Sequence, residues 1–476
     1  MKEFNPEQFR SEGHRIVDLL AEYLEEATKG EGYAVLPVSD PDELAEYFTL
    51  DSGNGRPESY ITIVNEFIKY SNHLHNPGYI GHQCTSPLPL GALSHLTATL
   101  LNNGSAVYEM GPANSAMERA VIKHLAAKMG FDKKADGILT HGGSAGNLTA
   151  LLAARQAKCS YNIWEEGVRE NMKPGFLVSA ESHYSVVRNL KIMGLGAESA
   201  VTVRSGDGFR MDPGSFSHAM KDAEKNGINV IGMVASSCST ATGSYDNLMY
   251  VAEFCKKHDL WMHVDGAHGM GVVFSDRYRH LVKGVEAADS VIIDFHKMLL
   301  TPGLNTAVLF KDGDRSYETF EQKASYLFSQ GVEREWYNGA KRSLECTKSS
   351  MGFVAWSLFR YYGDSLFSDY IDDRYDTAAQ FGAMIEGLPD FELLTPPQSN
   401  IVCFRHIQEG KSPTELNAHN DLLREKLIAD GTFYIVKTTV DGNVWLRVTI
   451  INPLTGMETL KRLIEKLREI AGKASI

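Results

Sequence analysis

Two short stretches, WMHVDGAHG at residues 261–269 and SVIIDFHK at residues 290–297, decide the fold class of this chain. Each begins with a run of apolar residues that is typical of a buried β-strand. The first strand ends at Asp265, and the second ends at Asp294 and leads through Phe295 and His296 to Lys297. A carboxylate and a lysine therefore lie at or just after two strand ends. Open α/β sheets bind their ligands at the carboxyl ends of their strands.

A carboxylate and a lysine are the two groups that a pyridoxal phosphate enzyme needs at opposite ends of its cofactor. Lys297 would form the Schiff base, and Asp265 would hold the pyridine nitrogen protonated so that the ring accepts electrons. Because Lys297 follows a buried strand, we expect burial to lower the pKa of its ammonium group. A purely structural ion pair between Asp265 and Lys297 is the alternative interpretation.

Short β-rich runs alternate with helical patterns between about residue 135 and residue 310. This alternation requires crossover connections and predicts a mostly parallel sheet that is covered on both faces. The fold class is therefore α/β. The predicted strands lie at residues 137–139, 175–179, 200–203, 230–235, 260–264, 291–293 and 306–309.

The segments on either side of this region have different patterns. Residues 9–27 place apolar side chains at helical spacing, which predicts an amphipathic helix that packs elsewhere on the molecule or on a second subunit. The tail of the chain alternates helices with strand-like runs at residues 391–394, 400–404 and 445–450, and predicts a smaller α/β unit. We expect an N-terminal helical segment (1–85), a large cofactor-binding domain (86–367) and a small C-terminal domain (368–476).

Composition and charge exclude several classes of function. The 476 residues are 43% hydrophobic and 22% charged, and a formal net charge of −13 disfavours nucleic acid as a partner. The six cysteines form no CxxC or CxxH motif, so we expect neither a disulfide framework nor a metal site. The N-terminus lacks an apolar signal core, and no apolar run approaches the ~20 residues of a membrane span. We therefore expect a cytoplasmic protein that does not bind a membrane.

The segment GILTHGGSAGNLTALLAAR, residues 137–155, reads as a strand, a glycine-rich turn and a helix. Gly142 and Gly143 let the backbone approach an anion closely, and Ser144 can offer both its N–H and its hydroxyl. The helix N-terminus adds a partial positive charge. The segment indicates a phosphate cradle that is not a Walker loop, although a glycine turn before a helix can also be purely structural.

Polar residues follow two further predicted strands. His183 follows the strand at 175–179, and Ser239 and Thr240 follow the strand at 230–235. The ends of parallel strands are ligand-binding positions, so these side chains are candidates for cofactor contacts. The histidine could instead be a surface or capping residue, and the hydroxyls could instead bond to backbone groups of the turn.

Together with other stretches, these motifs resemble the group II pyridoxal phosphate-dependent amino-acid decarboxylases, which include the aromatic amino acid, glutamate, cysteine sulfinate and diaminobutyrate enzymes. The resemblance covers nearly the whole chain. It implies the aspartate-aminotransferase-like (type I) fold, and a homodimer with its active site at the interface. Its further motifs are NPGYIGHQCTSPLPLGAL (76–93), NGSAVYEMGPANSAMERAV (103–121), YRHLVKGVEAADS (278–290) and VWLRVTIINP (444–453).

The resemblance implies how the pyridoxal phosphate ring is held. Lys297 would carry it, and Asp265 would bind the pyridine nitrogen, with Ala267 beneath the ring. His183 would stack on the other face, and Thr240 would lie close to the cofactor. Such a carboxy-lyase converts an L-amino acid into CO₂ and an amine through an aldimine at Lys297 and a quinonoid intermediate.

The resemblance also implies roles at the edges of the site. Gly143, Ser144 and His296 would contact the phosphate, and Thr85 would line the site. Tyr326, in the segment KASYLF, matches the loop tyrosine that returns a proton to Cα after CO₂ has left.

The sequence departs from the aromatic enzymes at positions that concern the substrate. Asp294 replaces their asparagine, and the form DFHK is more like the diaminobutyrate-type members. His82 and Gln83 precede Thr85 where the aromatic enzymes have bulky apolar residues. Arg447 could pair with a substrate carboxylate or brace the small domain. We expect a polar substrate side chain of the diaminobutyrate, glutamate or cysteine sulfinate type.

Three alternatives stay open. The stretch from residue 260 to residue 300 is closest to the aromatic enzymes, which keeps an aromatic L-amino acid as a possible substrate. Another pyridoxal phosphate reaction on the same fold, such as decarboxylation-dependent oxidative deamination, is a second alternative. A cofactor-free binding protein that kept the fold is the third, and the presence of both Asp265 and Lys297 speaks against it.

Overall fold

Two compact units make up the protein, each with its own β-sheet. The computed structural model describes residues 3–50, 59–169, 172–320 and 335–474. The larger unit consists of Pro87–Asp376 and Thr395–Asn400, and the smaller of Met1–Ser86, Thr377–Leu394 and Ile401–Ile476. The three-part division expected from the sequence stays a prediction, because part of it depended on packing across two subunits.

Thirteen α-helices are present in the part of the chain that the structure describes. Within the same ranges, none of them combines the length and the apolar character needed to cross a membrane. The helices are α1 (Pro6–Lys29), α2 (Pro41–Tyr47), α3 (Tyr60–Lys69), α4 (Pro89–Leu101), α5 (Pro112–Lys128), α6 (Gly143–Lys158), α7 (Ile163–Glu166), α8 (Tyr184–Ile192), α9 (Phe216–Lys225), α10 (Leu248–His258), α11 (Met351–Glu386), α12 (Pro413–Asp430) and α13 (Met457–Ala474).

A seven-stranded sheet forms the centre of the larger unit. Its strands are β1 (Asp136–Thr140), β2 (Lys173–Ser179), β3 (Ala200–Val203), β4 (Ile228–Ser236), β5 (Trp261–Asp265), β6 (Ser290–Asp294) and β7 (Thr306–Phe310). The order across the sheet is β1-β7-β6-β5-β4-β2-β3. Neighbours from β3 to β6 are parallel, whereas β7 runs antiparallel to both β6 and β1. The predicted α/β class and the mostly parallel sheet are confirmed.

The strands of this sheet are apolar because both faces are covered. Every residue of β1, β5, β6 and β7 is buried. Helix α6 packs on one face through Leu148, Leu151 and Leu152, which belong to the same core as Phe176 of β2 and Ile292 of β6. The glycine turn before α6 is thereby fixed against the carboxyl ends of the central strands.

The smaller unit contains a four-stranded antiparallel sheet. Its strands are β8 (Phe391–Leu393), β9 (Ile401–His406), β10 (Val436–Val440) and β11 (Asn443–Thr449), in the order β10-β11-β9-β8. Helices α12 and α13 contribute Leu423, Leu463 and Leu467 to a core that includes Phe404 and Leu446 of the sheet. The sequence predicted three of these strands but not β10, whose central residues are polar and largely exposed.

Candidate active site

One cavity of about 320 Å³ lies where the central strands of the larger unit end. This volume is in the range of about 300–1,000 Å³ that small-molecule sites occupy. All eight residues that the sequence predicted to contact the cofactor line this cavity: Gly143, Ser144, His183, Thr240, Asp265, Ala267, His296 and Lys297. The folded chain thus brings together residues that lie up to 154 positions apart, from 143 to 297.

The glycine-rich turn forms one end of the cavity. Gly142 has a φ of +90°, a backbone conformation that favours glycine, and α6 begins at the next residue. A Cβ atom on Gly143 would lie 3.2 Å from both carboxylate oxygens of Asp294 and 3.4 Å from the Cβ of Ala267. The first N–H groups of α6 have no partner within the helix, and its dipole favours an anion there. This end of the cavity can hold a phosphate.

Asp265 provides a buried carboxylate at the end of β5. Its Oδ2 accepts a hydrogen bond of 2.9 Å from Asn147 Nδ2, and its Oδ1 accepts one of 3.3 Å from the N–H of Ala267. Burying a carboxylate is costly unless donors or a cation compensate it. A protonated pyridine nitrogen is a further donor that suits this position, so the residue fits pyridoxal phosphate.

Lys297 pairs with Asp294 in this structure. Its Nζ lies 3.0 Å from Asp294 Oδ2, and Thr306 Oγ1 donates a 2.6 Å hydrogen bond to Oδ1 of the same carboxylate. Burial alone would lower the pKa of Lys297, but the charges of Asp294 and Asp265 outweigh it and raise that pKa. The prediction of a lowered pKa is therefore wrong, because it did not include Asp294.

Asp294 has the opposite shift. Burial alone would raise the pKa of its carboxyl group, but the charges of Lys297 and His296 and the hydrogen bonds from Thr306 and Lys297 lower it. Nε2 of His296 lies 3.5 Å from Asp294 Oδ2. The carboxylate is thus ionised and surrounded by donors at neutral pH.

His183 combines the two roles that the sequence left open. It is the N-cap of α8, where its Nδ1 accepts a 3.3 Å hydrogen bond from the N–H of Ser185, and it also lines the cavity. Burial lowers the pKa of His183, although the nearby Asp265 carboxylate partly offsets this effect. The ring is therefore neutral near pH 7, and it is fixed at the base of a helix.

Ser239 and Thr240 were both candidates for a cofactor contact, and hydrogen bonds within the turn distinguish them. Oγ of Ser239 accepts hydrogen bonds from the N–H groups of Thr242 (3.4 Å) and Ser244 (3.2 Å), as the turn-forming alternative requires. Both residues line the cavity. The hydroxyl of Ser239 therefore stabilises the turn, and Thr240 stays the candidate for a cofactor contact.

The residues predicted for the substrate pocket belong to the smaller unit. Thr85 is buried, and its Oγ1 donates a 3.4 Å hydrogen bond to the carbonyl of Ser86. Arg447 is buried in the central strand β11, and Gln83 is half-buried next to the more exposed His82.

Tyr326, the predicted proton donor, lies outside the residues that the structure describes. Its role stays a prediction from the sequence.

Other residues around the cavity were not singled out from the sequence. They are His141, Asn147, Ser185, Ser236, Cys238, His268, Asp294 (noted only as a departure) and Leu304. Asn147 carried a signal that could have been used, because it is a polar residue within the apolar run NLTALLAA, one turn after the glycine turn. A buried asparagine on a sheet-facing helix must find hydrogen-bond partners.

The family model of the pyridoxal-dependent decarboxylase conserved domain matches residues 68–407. The match covers well over half of the chain and includes every residue of the cavity. The chain belongs to this family. The protein is therefore a pyridoxal phosphate-dependent amino-acid decarboxylase, a carboxy-lyase of amino-acid metabolism, as the motifs predicted.

Individual relatives agree on the reaction and differ in substrate. The chain is 29% identical to an L-aspartate decarboxylase of Metarhizium robertsii, over 90% of this chain and 85% of that protein. It is 26% identical to an aromatic-L-amino-acid decarboxylase of Bacillus atrophaeus, over 100% and 98%.

A solved structure supports the predicted fold. The crystal structure of Oryza sativa TDC with PLP and tryptamine superposes with a TM-score of 0.89 at 19% identity, covering 99% of both chains. The expected type I fold is confirmed at this level.

Proposed function

We propose that this decarboxylase acts on an L-amino acid with an acidic side chain, of the glutamate, aspartate or cysteine sulfinate class. The observation that supports this choice is a pair of guanidinium groups in the smaller unit, Arg424 and Arg447, whose charges both act on His82. We call these three residues the basic cluster. We further propose that Arg447 is the member that binds the substrate's side-chain anion.

The two arginines of the basic cluster affect the protonation of His82. Partial burial lowers the pKa of His82, and the charges of Arg447 and Arg424 lower it further. The ring of His82 lies 5.6 Å from that of Tyr434, and Arg424 Nε donates a 3.1 Å hydrogen bond to the carbonyl of Ile435. A planar guanidinium is the side chain best suited to a carboxylate or sulfinate, which it can bind with two parallel hydrogen bonds.

The same cluster disfavours the other substrate classes. A diaminobutyrate side chain carries a positive charge, which two guanidinium groups would repel. An aromatic side chain would place apolar surface beside charged groups without compensating them. The similarity to relatives does not decide the question, since an aspartate enzyme at 29% and an aromatic enzyme at 26% match almost equally well.

The residues of the larger unit have separate tasks in the proposed reaction. When bound, pyridoxal phosphate supplies the electron sink for the electron pair that the departing CO₂ leaves behind. Lys297 would hold the cofactor through Nζ, and Asp294 Oδ2 balances the charge of that amine while it is protonated. Asp265 would accept a hydrogen bond from the protonated pyridine nitrogen, and His183 would contact the ring. Tyr326 returns a proton to Cα of the product.

The homodimer and its shared active site are also proposals. Helix α1 exposes Phe9 (52%), Val17 (46%) and Leu20 (42%). At about 100° per residue these side chains lie within about 80° of one another around the helix. An apolar stripe of this kind on a soluble helix is typical of a contact surface, and a second copy of this chain is the occupant that we propose.

Steady-state kinetics on a panel of L-amino acids tests the substrate proposal. The holoenzyme is assayed for CO₂ and amine with glutamate, aspartate, cysteine sulfinate, diaminobutyrate, tyrosine and tryptophan. We expect kcat/KM to be at least about tenfold higher for the best acidic substrate than for any aromatic or cationic one, because a charge-assisted hydrogen bond contributes about 1.5–3 kcal/mol. Aldehyde and ammonia in place of amine would instead indicate oxidative deamination.

Arg447→Gln separates the role of this residue from general effects of charge. We expect the variant to lose at least about tenfold in kcat/KM for the acidic substrate. Arg405→Gln is the matched control, because Arg405 lies on the neighbouring strand β9 and pairs with Glu392. Equal losses in both variants, or an aromatic amino acid as the best substrate of the wild type, would contradict the proposal.

A further inference from the structure

Asn147 connects the carboxylate of Asp265 with the ring of His183 through buried hydrogen bonds. We propose that Asn147 is a positioning residue, whose amide orients Asp265 directly and holds the Ser185 hydroxyl that donates to His183. The inference depends on the cofactor that the family uses and not on the choice of substrate. Asn147 is itself only 1% exposed.

One face of strand β5 carries three polar side chains. Trp261, His263 and Asp265 alternate along the strand, so their side chains point to the same face of the sheet. All three are buried. Two of them, His263 and Asp265, bond directly to Asn147 on α6, with distances of 2.9 Å in both cases. The polar face of β5 is thus organised around a single amide.

Groups that can only donate or only accept set the directions of the hydrogen bonds in this network. The indole N–H can only donate, and it donates to Ser290 Oγ at 2.8 Å. The ionised carboxylate of Asp265 can only accept, so the NH₂ group of Asn147 faces Asp265 and its Oδ1 faces His263 Nε2 at 2.9 Å. The neutral ring of His263 therefore carries its hydrogen on Nε2, and its Nδ1 accepts from the hydroxyl of Ser290 at 2.9 Å.

His263 is neutral, so its ring has one hydrogen and the hydrogen bonds keep the directions given above. Burial lowers its pKa to about 4, although the Asp265 carboxylate partly opposes the shift. Near pH 7 the ring therefore has one donor and one acceptor. Oδ1 of Asn147 accepts the hydrogen bond from His263, and the NH₂ group of Asn147 faces Asp265 Oδ2. A reversed amide would place two oxygens against each other.

The second hydrogen of the same NH₂ group extends the network to His183. Asn147 Nδ2 lies 3.3 Å from Ser185 Oγ, which lies 2.7 Å from His183 Nδ1. The backbone N–H of Ser185, which can only donate, points to His183 Nδ1 at 3.3 Å. Nδ1 of His183 is therefore an acceptor, the Ser185 hydroxyl donates to it, and the neutral ring carries its hydrogen on Nε2.

Cofactor binding by Asn147→Ala tests the proposal. Pyridoxal phosphate affinity is measured by titration of the cofactor-free protein, followed by kcat and KM and the pH dependence of the cofactor's visible absorption band. We expect affinity to fall at least tenfold, the pH dependence of the band to shift, and kcat to fall more than KM changes. Thr149→Ala is the matched control, because Thr149 is buried on the same helix and, among the residues that the structure describes, its hydroxyl bonds to the carbonyl of Ala145 and to no part of the site.

The control should stay within twofold of the wild type. Equal affinity and an unshifted absorption profile in Asn147→Ala would overturn the proposal.

Histidine tautomers provide a readout that needs neither cofactor nor turnover. Two-bond ¹H–¹⁵N correlations of the wild-type protein should show the hydrogen on Nε2 in both His183 and His263. Ser290→Ala removes the donor to His263 Nδ1 while leaving Asn147 in place, so it separates the contributions of Ser290 and Asn147 to the His263 tautomer even if Asn147→Ala does not fold. We expect His263 to keep its hydrogen on Nε2 in this variant, because Asn147 Oδ1 still accepts from it. Hydrogen on Nδ1 of either ring in the wild type, or loss of the Nε2 tautomer of His263 in Ser290→Ala, would contradict the inference.

Discussion

Asp294 lies at the point where the lysine and the phosphate cradle of the site meet. Its carboxylate is 3.0 Å from Lys297 Nζ and close enough to Gly143 that a Cβ there would come within 3.2 Å of both oxygens. The carboxylate stabilises the ammonium form of Lys297, whereas attachment of the cofactor requires the neutral amine. The identity of residue 294 therefore affects how readily the cofactor is attached.

Asp294→Asn should make Lys297 more reactive near neutral pH. Asp294 raises the pKa of Lys297, so its removal lowers that pKa and enlarges the neutral fraction of the amine well below the pKa. We expect the rate at which pyridoxal phosphate attaches to the cofactor-free protein at pH 7 to increase severalfold, with its midpoint at lower pH. Stopped-flow absorbance across a range of pH measures this.

Thr306→Val is the matched control for this substitution. It removes the 2.6 Å hydrogen bond to Asp294 Oδ1 but leaves the negative charge beside Lys297. Its pH midpoint should stay close to that of the wild type. A midpoint that does not move in Asp294→Asn would show that the ion pair does not control the reactivity of Lys297.

The residues of the site were predictable from the sequence where an apolar run showed which polar residue follows a strand. Asp265 ends one apolar run, Lys297 follows the Asp294 that ends another, and both line the cavity. The pKa of Lys297 was not predictable, because its direction depends on which carboxylate the side chain meets in the folded protein. Asp294 is close in sequence, but Asp265 also ends a strand, so the pattern does not decide between the two carboxylates.

At the scale of elements, most helices and strands were predictable from the spacing of apolar residues along the sequence. The seven strands of the large sheet are apolar runs between turns, and all seven are present. Strand β10 was missed because Lys437, Thr438 and Thr439 interrupt its apolar pattern. The role of Asn147 was not predictable either, since its partners on β5 are more than 110 positions away and depend on how α6 lies on the sheet.

Helix α1 supports a prediction about assembly. Val17→Asp places a charge in the apolar stripe of α1, which would have to be buried unpaired if two copies pack there. We expect the variant to shift the monomer–dimer equilibrium towards monomer by at least tenfold in dissociation constant, as measured by analytical ultracentrifugation. Ser11→Asp adds the same charge to the opposite, exposed face of α1 and should leave the equilibrium unchanged.

A wild-type protein that is monomeric at all concentrations would contradict the proposed homodimer. Equal dissociation constants for Val17→Asp and wild-type dimers would show that the apolar stripe of α1 is not part of the interface.

At the scale of the whole molecule, the family match and the cavity point to the same chemistry. The chain is a decarboxylase of the pyridoxal-dependent family, and the match extends over residues 68–407. Within that span a single cavity gathers a phosphate cradle, a buried carboxylate and the lysine. The chemistry then depends on Lys297 as the residue that attaches the cofactor.

Comparison of the wild type with Lys297→Ala tests this claim most directly. Both proteins are incubated with pyridoxal phosphate, reduced with borohydride and mapped by peptide mass, and both are assayed for CO₂ release from carboxyl-labelled acidic amino acids. We predict a cofactor adduct on Lys297 and CO₂ release in the wild type, and neither the adduct nor appreciable release in the variant. A reducible adduct on another lysine, or undiminished CO₂ release by Lys297→Ala, would contradict the account.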